Sequence, residues 1–189
     1  MADENEHDEK PTAKADHEPP AGAETTAKWT GGGGKPLDYT ASAKWLVLRK
    51  KEKPAAEIFS VSYVAKGENA DRPVMFVFNG GPGASSAFLH LGAVGPQRVA
   101  FPSDGTLPTM PPRLEQNGDS WLAFTDLVFV DPVGTGFSRI IEDEQKGGAS
   151  DDKKDKKKKD GENDPQEYFG YKRDLESLCE FMSRWLSQH

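Results

Sequence analysis

The sequence predicts an α/β fold in which a mixed, mostly parallel sheet carries flanking helices. Three observations support this prediction. An uncharged apolar run at 74–78 ends in the turn Asn-Gly-Gly-Pro-Gly at 79–83, and a second apolar run at 126–131 ends in another glycine-rich turn. A third segment, 164–188, carries apolar residues at helical spacing. Such runs suit strands buried on both faces of a parallel sheet, and α/β folds bind ligands at the carboxyl ends of these strands.

Composition narrows the class of protein. The chain of 189 residues is long enough for one domain with a real core, and its net charge of −7 argues against nucleic acid as a partner. No apolar run is long enough to span a bilayer, so we expect no membrane partner. The N-terminus as written has no secretory h-region, which indicates a cytoplasmic protein, or a secreted or periplasmic one if the true start lies upstream. Cys179 is the only cysteine, which excludes an intrachain disulfide.

Two segments have the composition of disordered chain. Residues 1–35 are acidic and include a run of four glycines, and their apolar content is too low to offset chain entropy. Residues 142–163 form an insertion rich in Lys and Asp, which we expect to be solvated and disordered. The sequence therefore predicts one folded unit at 36–189 that the insertion interrupts.

Two strands and one helix complete the predicted elements. The segments 39–49 and 56–65 flank a polar turn, and Phe59, Val61 and Tyr63 alternate with serines as in a strand with one wet face. We expect these two strands to pair antiparallel at the sheet edge. The helix at 164–188 begins with Asp164 as its N-cap. Its predicted apolar stripe consists of Tyr171, Leu175, Leu178, Met182 and Trp185.

Three motifs in order carry a resemblance to a known family. They are Asn-Gly-Gly-Pro-Gly-Ala-Ser-Ser at 79–86, Asn-x-x-Ser-Trp at 117–121 and Asp-Pro-Val-Gly-Thr-Gly-Phe-Ser at 131–138. In this combination the chain resembles the serine carboxypeptidases, peptidases of the α/β-hydrolase fold. The resemblance extends from about Tyr39 to the last residue, and it implies the N-terminal portion of such an enzyme.

The resemblance implies roles for the first turn. Gly81 corresponds to the donor of an oxyanion-hole N–H, and Asn79 and Gly80 correspond to groups that bind the terminal carboxylate of a peptide. The implied partner is a peptide substrate with a free C-terminus, and no cofactor or metal is implied. A preorganised N–H aimed at the oxyanion suits acyl transfer. In the second turn we favour Asp131 as a buried structural acid over a catalytic one.

Departures from the family pattern are also visible. Ala84 stands where many relatives have a disulfide-bonded Cys, and Ala93 stands where many have a carboxylate-binding Glu. The fold requires a nucleophilic Ser on Gly-x-Ser-x-Gly followed by Asp and His, and the sequence contains no such elbow. Ser85 lies too far beyond the strand for a nucleophile, and His90 suits packing better than base catalysis. We therefore expect the chain alone to lack the triad and to be inactive.

Three alternatives remain open on the sequence. A proline iminopeptidase-like hydrolase shares the Gly-Gly-Pro-Gly turn but usually has His where Asn79 stands. An acyltransferase on the carboxypeptidase scaffold would use the same acyl-enzyme. A noncatalytic binding module belongs to another class, and a Gly-x-Ser-x-Gly motif downstream of His189 in the reading frame would exclude it.

Overall fold

The computed structural model describes residues 17–31, 33, 36–67, 71–80, 83–108, 110–141 and 165–189. The predicted disordered insertion at 142–163 and residues 1–16 of the predicted tail lie outside these ranges. The strands are β1 (Ala23–Trp29), β2 (Leu37–Lys50), β3 (Lys53–Ala65), β4 (Val74–Val77), β5 (Gln97–Val99), β6 (Leu114–Gln116), β7 (Asp126–Val130) and β8 (Arg139–Ile140). The helices are the short α1 (Ala87–Leu89), which continues as a π-helical turn (His90–Val94), two 3₁₀ turns (Trp121–Ala123 and Pro165–Phe169) and the long α2 (Tyr171–Gln188).

One sheet organises the described chain. Its strand order is β1-β2-β3-β7-β4, with β8 paired to β3 beyond β7. The predicted antiparallel pair is confirmed as the long hairpin of β2 and β3. Its predicted position at the sheet edge is wrong, because β1 pairs with the other side of β2. The pair β4–β7 is parallel, whereas every other pairing between described strands is antiparallel. The sheet is therefore mixed as predicted, but the parallel character is confined to that one pair, because apolar runs indicate two-sided burial and not strand direction.

Strand β7 is buried on both faces of the sheet. Leu127 and Phe129 belong to the core on one face, and Val128 and Val130 belong to the core on the other. This alternation follows from the two-residue period of a strand. Strand β4 was predicted to be equally buried, yet its first three residues are only partly buried, since β4 pairs with β7 alone among the described strands.

The prediction of disorder for residues 1–35 is wrong for the part that forms β1. This strand pairs antiparallel with β2 over its whole length, from Ala23 opposite Ala43 to Trp29 opposite Leu37. Six of its seven residues are exposed, and Trp29 alone is buried. Backbone pairing rather than side-chain burial therefore orders this edge strand, which a criterion based on apolar content does not detect.

The predicted helix is divided in two. Gly170 adopts an extended conformation between the 3₁₀ turn and α2, and the predicted N-cap Asp164 lies outside the described residues. The buried face of α2 consists of Ser177, Phe181 and Trp185, with Leu178 and Met182 partly buried beside them. Tyr171 and Leu175 are exposed, so two of the five positions of the predicted stripe are wrong. The helix packs on the face of the sheet that contains Val128 and Val130.

Candidate active-site turn

The first turn begins just after β4, and its backbone is exposed at Gly80. The Asn79 side-chain amide donates to the Gly80 carbonyl at 2.8 Å, so this side chain shapes the turn in which it lies. Gly80 is exposed, and a Cβ built there would have no heavy atom within 4 Å. Gly83 has a φ of +83°, a conformation that favours glycine. Gly81, the predicted oxyanion donor, lies outside the described residues.

The second turn meets the first through Asp131. This carboxyl is 3% exposed. Its Oδ1 accepts from the Ser86 N–H and the Ser86 hydroxyl, both at 2.8 Å, and its Oδ2 accepts from the Phe137 N–H at 3.2 Å. These contacts agree with the expected role of a buried structural acid. They also join residue 86 of one motif to residue 137 of the other.

Two further residues of the second turn explain its pattern. Gly136 has a φ of +50°, and a Cβ built there would lie 1.9 Å from Asp131 Oδ2 and 2.9 Å from the Cβ of Ser85. No side chain fits between the two turns at this point. The Ser138 hydroxyl donates to the Asp131 carbonyl at 2.6 Å and accepts from the Phe59 N–H at 2.7 Å. Ser138 therefore connects the second turn to β3.

The middle motif, residues 117–121, forms hydrogen bonds to the segment 93–95 that follows the first turn. The Asn117 amide group is fully buried and donates to the carbonyls of Ala93 at 2.7 Å and Gly95 at 2.9 Å. The Ser120 hydroxyl donates to the Val94 carbonyl between them at 2.8 Å. Three successive carbonyls at the end of the π-helical turn are thus satisfied by one motif. Sequence reasoning recognised the motif but not this function, because the partners are backbone groups some twenty residues away.

Trp29 of β1 also binds the middle motif, at Asn117. Its indole N–H donates to the Asn117 carbonyl at 2.8 Å, and its ring is buried. Next to it, the N–H and the hydroxyl of Thr30 donate to the Gln116 side chain. The edge strand that composition did not predict is therefore joined to a motif of the candidate site.

His90 has the surroundings of a packing residue. Its ring stacks on Phe129 with centroids 4.5 Å apart, and its Nε2 lies 2.5 Å from the Tyr63 hydroxyl. Burial lowers the pKa of His90 to about 4, although the charge of Asp131 acts in the opposite direction. Burial likewise raises the pKa of Tyr63, so its phenol stays protonated and can donate to the neutral imidazole. This arrangement supports the packing role that we expected.

Ser85, the weak candidate nucleophile, lies against Gly136 in the contact between the two turns. Ala93, where many serine carboxypeptidases carry Glu, is exposed and presents its carbonyl to Asn117. Cys179 is exposed on α2 instead of contributing to packing. Within the described ranges, no three His, Cys, Asp or Glu side chains are grouped so that they could hold a metal ion.

None of the described helices is long and apolar enough to cross a membrane. The sheet is mixed and carries few flanking helices, as expected for part of an α/β-hydrolase fold, although only the pair β4–β7 is parallel.

Comparison with solved structures shows a likeness to a prohormone-processing carboxypeptidase from Saccharomyces cerevisiae, with a TM-score of 0.44 and 32% sequence identity. This likeness covers 59% of the present chain and 23% of the yeast chain.

Curated relatives match over shorter stretches. A pheromone-processing carboxypeptidase of Sclerotinia sclerotiorum is 46% identical over 76 residues, which are 40% of this chain and 11% of that protein. One from Puccinia graminis is 35% identical over 88 residues, or 45% of this chain and 12% of that protein. The chain thus matches only about a tenth of the length of these relatives. The sequence profile of the serine carboxypeptidases, however, matches residues 39–189. The chain belongs to the serine carboxypeptidase family.

Proposed function

We propose that the protein is a serine-type carboxypeptidase that releases C-terminal amino acids from peptides through an acyl-enzyme. In this proposal the present chain supplies the oxyanion-hole and carboxylate-binding turn. The observation that carries it is the open turn at the carboxyl end of β4, in a chain whose residues 39–189 match the family. The names of the curated relatives, pheromone-processing carboxypeptidases, support a peptide as the substrate.

The chemistry assigned to the turn follows from its groups. Asn79 has a second amide hydrogen beyond the one that it donates to Gly80, and an amide can bind a carboxylate without burying a further charge. Gly80 leaves its backbone accessible to substrate because no side chain covers it. We assign the oxyanion N–H to Gly81, as the family resemblance implies. Removal of one such donor typically lowers kcat by ~10²–10³.

Mutation of Asn79 tests the assignment in the complete enzyme. Asn79→Ala removes a hydrogen bond to a charged group, which is worth ~1.5–3 kcal/mol, or roughly ten- to a hundredfold in kcat/KM. We expect this loss on a peptide with a free C-terminus, and a much smaller loss on the matching C-terminal amide. Gly81→Pro is the control, because it deletes a backbone N–H and should impair both substrates. If Asn79→Ala lowers kcat/KM equally on the acid and the amide, Asn79 only forms the turn and does not bind the carboxylate.

The proposal includes the inactivity of residues 1–189 alone. Without a Gly-x-Ser-x-Gly elbow there is no activated nucleophile, however complete the oxyanion hole is. The purified chain should neither cleave a blocked dipeptide nor react with a serine-directed fluorophosphonate. Stoichiometric labelling of Ser85 would refute this part of the proposal and reassign the nucleophile.

A further inference from the structure

Strand β7 holds both ends of the active-site turn. At the start of the turn, β4 pairs parallel with β7, up to Val77 opposite Phe129. At the far end, Ser86 is bound by Asp131, the first residue after β7. The chain between Val77 and Ser86 therefore leaves β7 at a hydrogen-bonded strand pair and returns to it at a buried carboxylate. The two attachments involve Phe129 of β7 and Asp131 immediately after it.

The Asp131 carboxylate holds the two turns together through three hydrogen bonds. A buried carboxylate is costly unless donors compensate its charge, and here two backbone N–H groups and one hydroxyl do so. Hydrogen bonds to an ionised acceptor are roughly twice as strong as neutral ones. Because Oδ1 serves Ser86 and Oδ2 serves Phe137, the carboxylate fixes one turn against the other. Gly136 permits this approach, since any Cβ there would collide with Asp131.

We propose that Asp131 is a positioning residue for the active-site turn, acting through Ser86 on the residues that bind the reacting carbonyl. The proposal rests on the proposed carboxypeptidase function for its effect on rate, whereas the anchoring itself stands on the geometry. Asp131 does not touch substrate. Its role is to restrict the backbone at Ser86, while the pairing of β4 with β7 restricts the chain at Val77, two residues before Asn79.

Positioning of this kind has a measurable consequence. Displacement of a catalytic group by about 1 Å can cost on the order of 10²-fold in rate. Loss of the Ser86 attachment should therefore lower kcat on acid and amide substrates alike. Asn79 stands two residues beyond the strand pair at Val77, so the ratio of acid to amide activity should be preserved.

The test is Asp131→Asn in the complete enzyme. Asn has nearly the same shape but replaces one acceptor oxygen by an NH₂ group, which must face either the Ser86 N–H or the Phe137 N–H. We expect kcat to fall by about 10- to 100-fold on both substrates, with KM changed by less than about threefold, by the positioning argument. Hydrogen exchange at the Ser86 amide should be faster than in the wild type.

Asp126→Asn is the matched control, at the other end of the same strand. Asp126 accepts from the Ala65 N–H at 3.0 Å and from Arg72 Nε at 2.8 Å, away from both turns. This variant should lose stability but keep kcat within about twofold when folded, because losses of stability away from the site leave transition-state contacts intact. Ser86→Ala, which removes only the hydroxyl bond, is a second variant and should lower kcat by several-fold.

The outcomes separate this inference from the proposed function. Faster exchange at Ser86 with unchanged kcat in Asp131→Asn would overturn the positioning role, and so would an equal loss of kcat in Asp126→Asn. If Asp131→Asn does not fold, an unchanged kcat in Ser86→Ala overturns it. A wild-type enzyme without carboxypeptidase activity would refute the proposed function, and the exchange rate at Ser86 would still decide whether Asp131 anchors the turn.

Discussion

His90 shows how burial decides the chemistry of a residue. On the sequence it is one of four histidines and stands a few residues after the first glycine-rich turn. In the fold its ring lies between Tyr63 and Phe129, and burial lowers its pKa to about 4. A histidine that stays neutral at physiological pH in an aromatic cluster contributes packing and one hydrogen bond rather than proton transfer. The same lowered pKa makes stability depend on pH.

The sign of this dependence follows from proton linkage. Protonation is harder in the folded state than in the unfolded state, so the contribution of His90 is complete above its unfolded pKa near 6.5 and is lost as the pH falls toward 4. The difference between the two pKa values corresponds to about 3 kcal/mol at most. We expect the free energy of unfolding to fall over this window. In His90→Gln, which keeps a hydrogen-bonding group but cannot titrate, denaturant unfolding between pH 7 and 4 should show a shallower decline. An unchanged slope would assign the pH dependence to other groups.

At the scale of elements, the β2–β3 hairpin depends on an unfavourable turn. Lys51 and Glu52 connect the strands with φ values of +49° and +65°. Two successive positive φ values match the right-handed twist of a hairpin, but they suit Asn and Gly far better than Lys and Glu. The long register of β2 with β3 imposes the conformation on these residues. The turn is therefore a place where the sequence can be improved without a change of fold.

Glu52→Gly should stabilise the protein by about 0.5–1 kcal/mol, because relief of the left-handed conformation exceeds the added freedom of the unfolded chain. The Arg49 side chain bonds to the Glu52 backbone carbonyl, a contact that the substitution retains. Lys53→Gly, one residue along and inside β3, is the matched control and should destabilise by about 0.5–1 kcal/mol. Thermal unfolding of both variants checks the prediction, which fails if the two changes have the same sign.

At the scale of the whole molecule, two cores lie on opposite faces of one sheet. One contains Phe181 and Trp185 of α2, and the other contains Trp29 of β1 together with Leu122. Strand β7 contributes to both, so the residues that carry the second turn are held from both sides of the sheet. This arrangement explains why Asp131 can hold Ser86 at the end of the first turn, since Asp131 directly follows the most buried strand of the described sheet.

The helix provides a test of which face packs. Phe181 is 1% exposed, whereas Leu175, six residues earlier, is 56% exposed. Phe181→Ala should lower the free energy of unfolding by ~3–5 kcal/mol through lost burial and a cavity. Leu175→Ala should change it by less than about 0.5 kcal/mol, as expected for a surface position. A larger loss of stability for Leu175→Ala than for Phe181→Ala in chemical denaturation would contradict this packing and favour the apolar stripe predicted from the sequence.

Much of this protein was determined by the sequence alone. Two segments flanking a polar turn located β2 and β3, with alternating apolar residues in β3. Continuous apolar runs located β4 and β7, and glycines identified both turns. These signals are local, because a two-residue period and a positive φ are properties of neighbouring residues. The three motifs in order also identified the family, which the match to residues 39–189 confirms.

Only the tertiary structure decided what joins these pieces. The exposed strand β1 is ordered by backbone pairing with β2, and the face of α2 that packs is chosen by the sheet beneath it. Asp131 binds Ser86, which lies 45 residues earlier in the chain. Asn117 donates to the carbonyls of Ala93 and Gly95, which lie 24 and 22 residues earlier. No local pattern encodes such contacts, since their partners include backbone groups that every sequence possesses and that only the folded chain brings together.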